Sequence, residues 1–509
     1  MSGPIRVIVV GAGNAALCAA LSAREHGADV TVMECAPRAD RGGNTAFAAG
    51  TMRVEITGGA ELGTLVDDLP PEQAEQIDNR PYPAEEFYDD LARMSNYQCD
   101  PDLTDQVVSR SFDTARWMRA AGVRFVPVLT PPSSAGGAGQ GAVNAPLVAV
   151  SGGGPGLVDA LVLACERAGV RISYETRVEA LLRQGGRVTG VRALGPDGDL
   201  VLPADSVILA SGGFESNAEW RTRYLGAGWD VARVRGTRFN NGDGIRMALA
   251  IGASPRGQWS GCHAVPWEAN APEFGELAVG DQFKKCSYPY GIMVNARGER
   301  FVDEGADYRD YPYAAYGRAI LAQPGLVAWQ IFDQRTAPLL RDEYRIRQVT
   351  RVRAADLDDL AARMVGVDPA GLLRTVERYN AAVQTEVPFL PHIRDGRGAP
   401  GLPVPRSNWA NPLDSPPYEA YAVTCGVTFT FGGLRTDGDG RVLDTGHRPI
   451  DGLYAAGELV GGLFYHNYPG GSGLTSGAVL GRTAGAAAAV PRGVPQAGKR
   501  LGNTIVSGR

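Results

Sequence analysis

Several short segments of the 509-residue sequence place glycines, carboxylates, phenols and one guanidinium at spacings that suit cofactor binding and redox chemistry. Gly11-Ala-Gly13-Asn14-Ala15-Ala16 fits a GxGxxG/A fingerprint, with Glu34 twenty-one residues after Gly13. Gly11 permits a tight turn, Gly13 lets backbone reach a pyrophosphate, and Ala16 keeps a helix close to its strand. Glu34 is placed to accept from a ribose hydroxyl. A second glycine turn, Arg41-Gly42-Gly43-Asn44-Thr45, follows Glu34 closely enough to approach the far end of a long dinucleotide. That turn, and the fingerprint's place near the start of the chain, favour FAD over NAD. Near the other end, Gly457-Glu458 closes a strand pattern, and Tyr468-Pro-Gly-Gly471-Ser472-Gly-Leu474 opens a helix. The start of that helix can stabilise negative charge on a reduced flavin, and Glu458 is placed for a ribityl hydroxyl.

Other candidates have competing readings. Arg309 lies between Asp307 and Asp310, so it is either an ion-pair partner or a functional cation. His263 follows Cys262, yet adjacent residues chelate one ion poorly, so substrate contact or core packing is expected and no metal. His466 and Tyr468 sit at the glycine turn. Thr430 can donate to a substrate oxygen. Tyr288, Tyr311 and Tyr313 can line the same site or pack in a core.

The elements that must position these groups are legible. Residues 5–10 (IRVIVV) form a continuous apolar run suited to a strand buried on both faces. A helix to Gly27 and a strand ending at Glu34 complete a β-α-β unit. Helices are expected around 85–122, over LVDALVLACERAG, AADLDDLAARMVG and GLLRTVERYNAAVQ, and after Gly473. Strands are expected over RISYETRVEALLR, GRVTGVRAL, SVILASGG and GLYAAGE. The acidic, proline-containing 60–90 reads as a surface excursion, and Gly-rich 130–156 as a loop or backbone against a ligand. From about 240 the alternation weakens and aromatics cluster at 259–316. The fold class is therefore α/β: a Rossmann-type FAD-binding domain at 1–239 and 416–490, an inserted α+β domain at 240–415, and a loosely held tail at 491–509.

Composition removes several classes. Hydrophobic residues make up 44% and charged residues 21%, and the net charge is −6, so neither disorder nor a basic nucleic-acid-binding field is expected. Glycine is 67 of 509 residues, about 13% against a usual value of roughly 7%. The seven cysteines never form CxxC, which argues against a disulfide framework, zinc, an iron–sulfur cluster or attached haem. No apolar run reaches the roughly 20 residues of a membrane helix, and no signal-like segment precedes Ile5. A cytoplasmic location is expected.

Taken together, GAGNAA, GGNTAFAAG, ADSVILASGGFESN, FNNGDGIRMALAIGA, MVNARGERFVDE, TVERYNAAV, GVTFTFGG and GLYAAGE resemble the fumarate reductase/succinate dehydrogenase flavoprotein family. WSGCHAV, VDEGADYRDYPYAAYGR, VTCGVTFTFGG and NYPGGSGLTSG look most like its tricarballylate dehydrogenase members. The resemblance implies an FAD domain with an inserted cap that clamps substrate on the flavin. It also implies cofactor contacts at Val178, Ser211, Gly212 and Asp243, a proton-transferring arginine at Arg309, and a carboxylate-holding histidine at His263. The family's second histidine is replaced by Phe429, and the arginine of its N-R-L-G-G segment by Tyr468. A tyrosine donates one hydrogen bond where an arginine binds a carboxylate through two. Tyrosine in a YPGxG turn also resembles 3-ketosteroid Δ1-dehydrogenases, where it polarises a carbonyl. Asn44-Thr45 stands where some members carry a flavin-linked histidine, which implies non-covalent FAD.

The resulting expectation is an FAD-dependent dehydrogenase of a C–C bond beside a carboxylate or carbonyl, with Arg309 or Tyr468 as the acid–base group. The alternatives are an alkene reductase, a steroid-type desaturase, or a flavin-bearing electron-transfer subunit with a separate protein acceptor.

Overall fold

The computed structural model describes residues 3–66, 81–129, 143–309 and 311–490. The acidic run 67–80, the Gly-rich run 130–142, Asp310 and the 491–509 tail lie outside the described residues. The elements used below are β1 (Arg6–Val10), α1 (Asn14–Glu25), β2 (Asp29–Met33), α2 (Gly153–Arg167), β3 (Arg171–Ser173), β4 (Ser206–Leu209), α3 (Asp243–Ala250) and β5 (Pro255–Glu268). They continue with β6 (Ile292–Val294), α4 (Tyr313–Leu321), β7 (Ala328–Phe332), β8 (Arg351–Ala354), β9 (Tyr418–Leu434), β10 (Arg441–Leu443), β11 (Pro449–Ala455) and α5 (Ser472–Ala488).

The first sheet has the order β10-β11-β4-β1-β2-β3, and all its pairs are parallel except β10-β11. Val7 to Val10 are all buried, as a continuous apolar run demands of a strand covered on both faces. The order reverses at β1, with β2 on one side and β4 on the other, so Gly11 and Ala210–Gly212 emerge side by side. Ligands bind at such a switch point beyond the carboxyl ends of the strands.

Helices α1 and α5 bring distant parts of the chain together. Gly477, Gly481 and Gly485 recur every fourth residue on one face of α5 and meet Asn14, Ala15 and Ala19 of α1. A Cβ on Gly481 would lie 2.3 Å from the Ala15 carbonyl oxygen, and one on Gly485 2.2 Å from that of Ala19. No larger residue allows this approach.

The run RISYETRVEALLR is not one strand. It divides into β3 and a strand over Arg177–Gln184, which pairs in a separate three-stranded sheet. Glu175 adopts a left-handed backbone (φ 53°), and the amide of Thr176 donates to the Glu34 carbonyl oxygen, 2.8 Å away. The bend delivers Thr176 to Val178 to the end of β2.

The second sheet is built on β9, a 17-residue strand. It pairs antiparallel with β5, β7 and β8, and parallel with Arg233–Val234; β6 pairs with β7. Sequence alternation weakens here because the second half of β5 is buried on both faces and its register shifts twice, between Gln258 and Cys262 and between His263 and Ala264. A core of Ile292, Val294, Trp329, Leu360, Leu372, Val376 and Tyr379 fills the outer side. Residues 243–250 pack with the first core through Ile245, Met247 and Ala248, while β9, beyond 415, is central to the second sheet. Among the described residues no helix is long and apolar enough to cross a membrane, and no group of His, Cys, Asp and Glu could hold a metal.

Candidate active site

One long cavity runs from the end of β1 to the face of the second sheet, lined by residues from both halves of the chain. At its nucleotide end Gly11 is left-handed (φ 107°), and a Cβ there would sit 2.5 Å from the Ala210 carbonyl oxygen. Helix α1 begins at Asn14 on a glycine N-cap with no side-chain cap, so the positive end of its dipole faces the cavity. Helix α5 begins the same way behind Gly471 (φ 89°). Glu34 is buried at the end of β2, where its Oε1 accepts from the Ala36 amide at 2.8 Å. Burial raises its carboxyl above the usual range, against the pull of that amide. Two helix starts without side-chain caps, a glycine that cannot carry a side chain and a terminal carboxylate together fit FAD.

Most of the residues singled out in the sequence meet here. Gly11, Gly13, Asn14, Ala15, Glu34, Gly43, Asn44, Thr45, Val178, Ser211, Gly212, Asp243, Glu458, Gly471 and Leu474 all line the cavity, as do Arg309, Tyr468, Phe429 and Thr430. Gly42 and Ser472 stand one layer back. A Cβ on Gly42 would strike Val158 at 2.6 Å, and the Ser472 hydroxyl donates to the Pro469 carbonyl at 2.6 Å. Asn14 and Thr45 also act as ties: the Asn14 amide N–H donates to Thr45 Oγ1, and its side chain to the Leu474 carbonyl.

The two histidines do not reach the cavity wall. His263 is fully buried, stacked on Phe429 (centroids 5.2 Å apart) and edge-on to Tyr468 and Tyr313. Its ring nitrogens have no hydrogen-bond partner, and burial, helped by the Arg235 charge, holds its pKa well below 6.5. His263 is thus a neutral ring behind the wall. His466 takes a left-handed backbone (φ 61°), and its ring contacts the side-chain amides of Gln98 and Gln258.

Glu458 and Thr430 are joined to each other. Glu458 Oε1 accepts from the Thr430 amide at 2.8 Å and from its hydroxyl at 3.2 Å. Behind them lies Glu215, which belongs to the ADSVILASGGFESN segment but is not among the expected site residues. Its Oε1 accepts from Asn44 and Asn240, each at 2.6 Å. Burial, followed by the Glu458 charge, raises the Glu215 carboxyl well above 4.5, which favours its protonated form.

The wall facing the nucleotide end is cationic. Arg235, Lys284, Arg309 and Arg341 all line it. Arg235 Nε donates to Asp281 Oδ1 at 2.6 Å and its Nη1 to Thr428 Oγ1 at 3.1 Å, while Lys284 binds Asp281 Oδ2. Burial would raise the Asp281 carboxyl, but the two cations bring it to about 2. Arg341 donates to Glu343 at 3.2 Å. Arg235 and Lys284 against Asp281 leave one net positive charge among these three residues. The Cys286 thiol in the same wall is buried and raised to about 11, with Arg309, Lys284 and Arg235 close enough to act on it. Beside them the hydroxyls of Tyr468 and Tyr313 lie 2.6 Å apart. Burial raises the Tyr468 pKa above 10 despite this bond and the Arg235 charge, so Tyr468 is a neutral phenol. Arg235, Asp281, Lys284 and Arg341 come from three separated segments, and only the fold unites them.

Residues 6–474 match the FAD binding domain family. A relative named Fumarate reductase (cytochrome), from Shewanella frigidimarina, is 30% identical over 493 residues, which cover 95% of this chain and 77% of the relative. A 3-oxosteroid 1-dehydrogenase of Mycobacterium tuberculosis (strain ATCC 25618 / H37Rv) is 31% identical over 355 residues, covering 63% of this chain and 60% of the relative. The open conformation of a flavocytochrome c3 fumarate reductase superposes with a TM-score of 0.71 at 27% identity, covering 96% of this chain and 78% of that one.

Proposed function

The chain belongs to the fumarate reductase/succinate dehydrogenase flavoprotein family, FAD-dependent oxidoreductases of CH–CH bonds, and from that premise we propose that it dehydrogenates a carbon–carbon bond beside a carboxylate. The observation that carries this reading is the cationic wall: Arg235 and Lys284 line the cavity and share a single carboxylate, Asp281. Such a wall favours a di- or tricarboxylate over an apolar ligand, and tricarballylate is the substrate we favour. FAD, held without a covalent bond, supplies the two-electron acceptor when bound. The cations of the wall orient the substrate's carboxylates. The proton leaving the carbon next to one carboxylate passes to the Tyr468 oxygen as that phenol hands its own proton to Tyr313, or to Arg309 in its deprotonated form. Donors aimed at the carboxylate stabilise charge that develops on it.

A second reading, a carbonyl substrate of the 3-oxosteroid kind, is favoured by Phe429, Phe431 and Phe464, which form an apolar flank beside Tyr468. Electrons then pass to a separate acceptor in either case. Anaerobic addition of tricarballylate, succinate or a 3-ketosteroid to the yellow holoprotein distinguishes these readings. Bleaching of the oxidised flavin band by a carboxylate supports the first, and bleaching by the steroid alone refutes it.

A further inference from the structure

The cations of the wall fall into two structural groups. Arg309 stands on the segment leading into α4, its carbonyl accepting from the Tyr288 hydroxyl and the Tyr313 amide at 3.3 Å each. Arg235 follows Val234 on the far edge of β9, and Lys284 follows the short helix at 280–283; both bind opposite oxygens of one carboxylate, Asp281. Asp281 fixes the two cations without neutralising them, since two positive charges share one negative. The side chains of Arg235, Lys284 and Asp281 are only 11%, 14% and 7% exposed, so little solvent screening weakens the remaining charge. Thr428 Oγ1 holds the Arg235 fork from the sheet side.

We propose that Arg235 and Lys284, cross-linked by Asp281, form a carboxylate-binding subsite separate from Arg309 that selects substrates carrying a second, remote carboxylate. It takes over the anchoring that a tyrosine at 468 cannot provide, because a phenol offers one donor and no charge. The inference rests on the carboxylate reading above. Its ligand class is a polycarboxylic acid, and its effect is on selectivity between poly- and monocarboxylates.

The test is binding of tricarballylate, succinate and butyrate to the oxidised holoprotein, followed by calorimetry and by perturbation of the flavin band, in wild type, Lys284→Met and Lys284→Arg. Lys284→Met leaves Asp281 paired with Arg235, so folding and flavin content are retained. The Kd for tricarballylate is expected to rise about tenfold, the loss of one charge-assisted hydrogen bond. The Kd for butyrate is expected to change less than threefold, with Lys284→Arg restoring selectivity. An unchanged ratio of the two Kd values, or an equal loss for both ligands, overturns the subsite. A wild-type holoprotein that binds none of the three acids overturns the carboxylate reading itself, and the subsite with it; this shows in the wild type rather than in the variant.

Discussion

Replacing Glu215 by Gln probes the buried acid pair beneath the cavity. In the folded protein Glu215 holds its proton more tightly than in the unfolded chain, because burial and the Glu458 charge both disfavour a second anion. Folding therefore takes up a proton at any pH between about 4.5 and the folded value. Stability is complete below the unfolded pKa and is lost as pH rises through the raised one, by up to about 1.4 kcal/mol per pH unit for one proton. Between pH 5.5 and 7.5 the loss amounts to at most about 2.7 kcal/mol. A glutamine at 215 keeps an oxygen for Asn44 and Asn240 and offers an N–H to Glu458, and it does not titrate. Urea unfolding at half-unit intervals over that range is expected to show a steep decline in wild type and a shallower one in Glu215→Gln. The residual slope comes from Glu458, which burial also raises. Parallel pH curves for the two proteins would refute proton uptake by Glu215 on folding.

Other variants separate the cavity's parts. Arg309→Leu is expected to retain FAD, judged by the flavin absorbance ratio, and to lose at least about 100-fold in turnover, the usual scale of a proton-transfer contribution; near-normal turnover removes Arg309 from the chemistry. Tyr468→Phe deletes the hydroxyl facing Tyr313 without changing the ring contacts, so kcat should fall while the melting temperature stays within a few degrees. His263 is neutral across the working range, so the pH profile of kcat should show no break near 6.5 that disappears in His263→Phe. Gly481→Val places atoms inside the Ala15 carbonyl; overpacking of about 1–3 kcal/mol opposes the roughly 1 kcal/mol helix gain of losing glycine. The expected result is weaker FAD retention on gel filtration.

Much of the nucleotide end was legible because its chemistry is local. Gly11, Gly13 and Glu34 act within one β-α-β unit, where spacing alone fixes relative position. The cationic wall was not, since Arg235, Asp281–Lys284 and Arg341 become neighbours only when β9 draws 233–234 and 255–268 to its sides. Glu215 was hidden for the same reason: its partners are Asn44, Asn240 and Glu458, each far away in sequence. His263 was identified by family pattern, and the fold turns its ring behind Phe429 instead of into the cavity. The close contact of α1 with α5 did have a local signal, the recurrence of glycine every fourth residue at Gly473, Gly477, Gly481 and Gly485, which lines up one helix face without side chains.

That contact also sets a timetable for biogenesis. Helix α1 leaves the ribosome far ahead of the helix it packs against. At 5–20 residues per second, the 447 residues from Glu25 to Ser472 take roughly 20–90 s to translate. For all that time the nascent nucleotide-binding unit has an apolar flank with nothing on it and a cofactor site missing one wall. The cofactor site is therefore complete only once α5 has emerged and folded against α1.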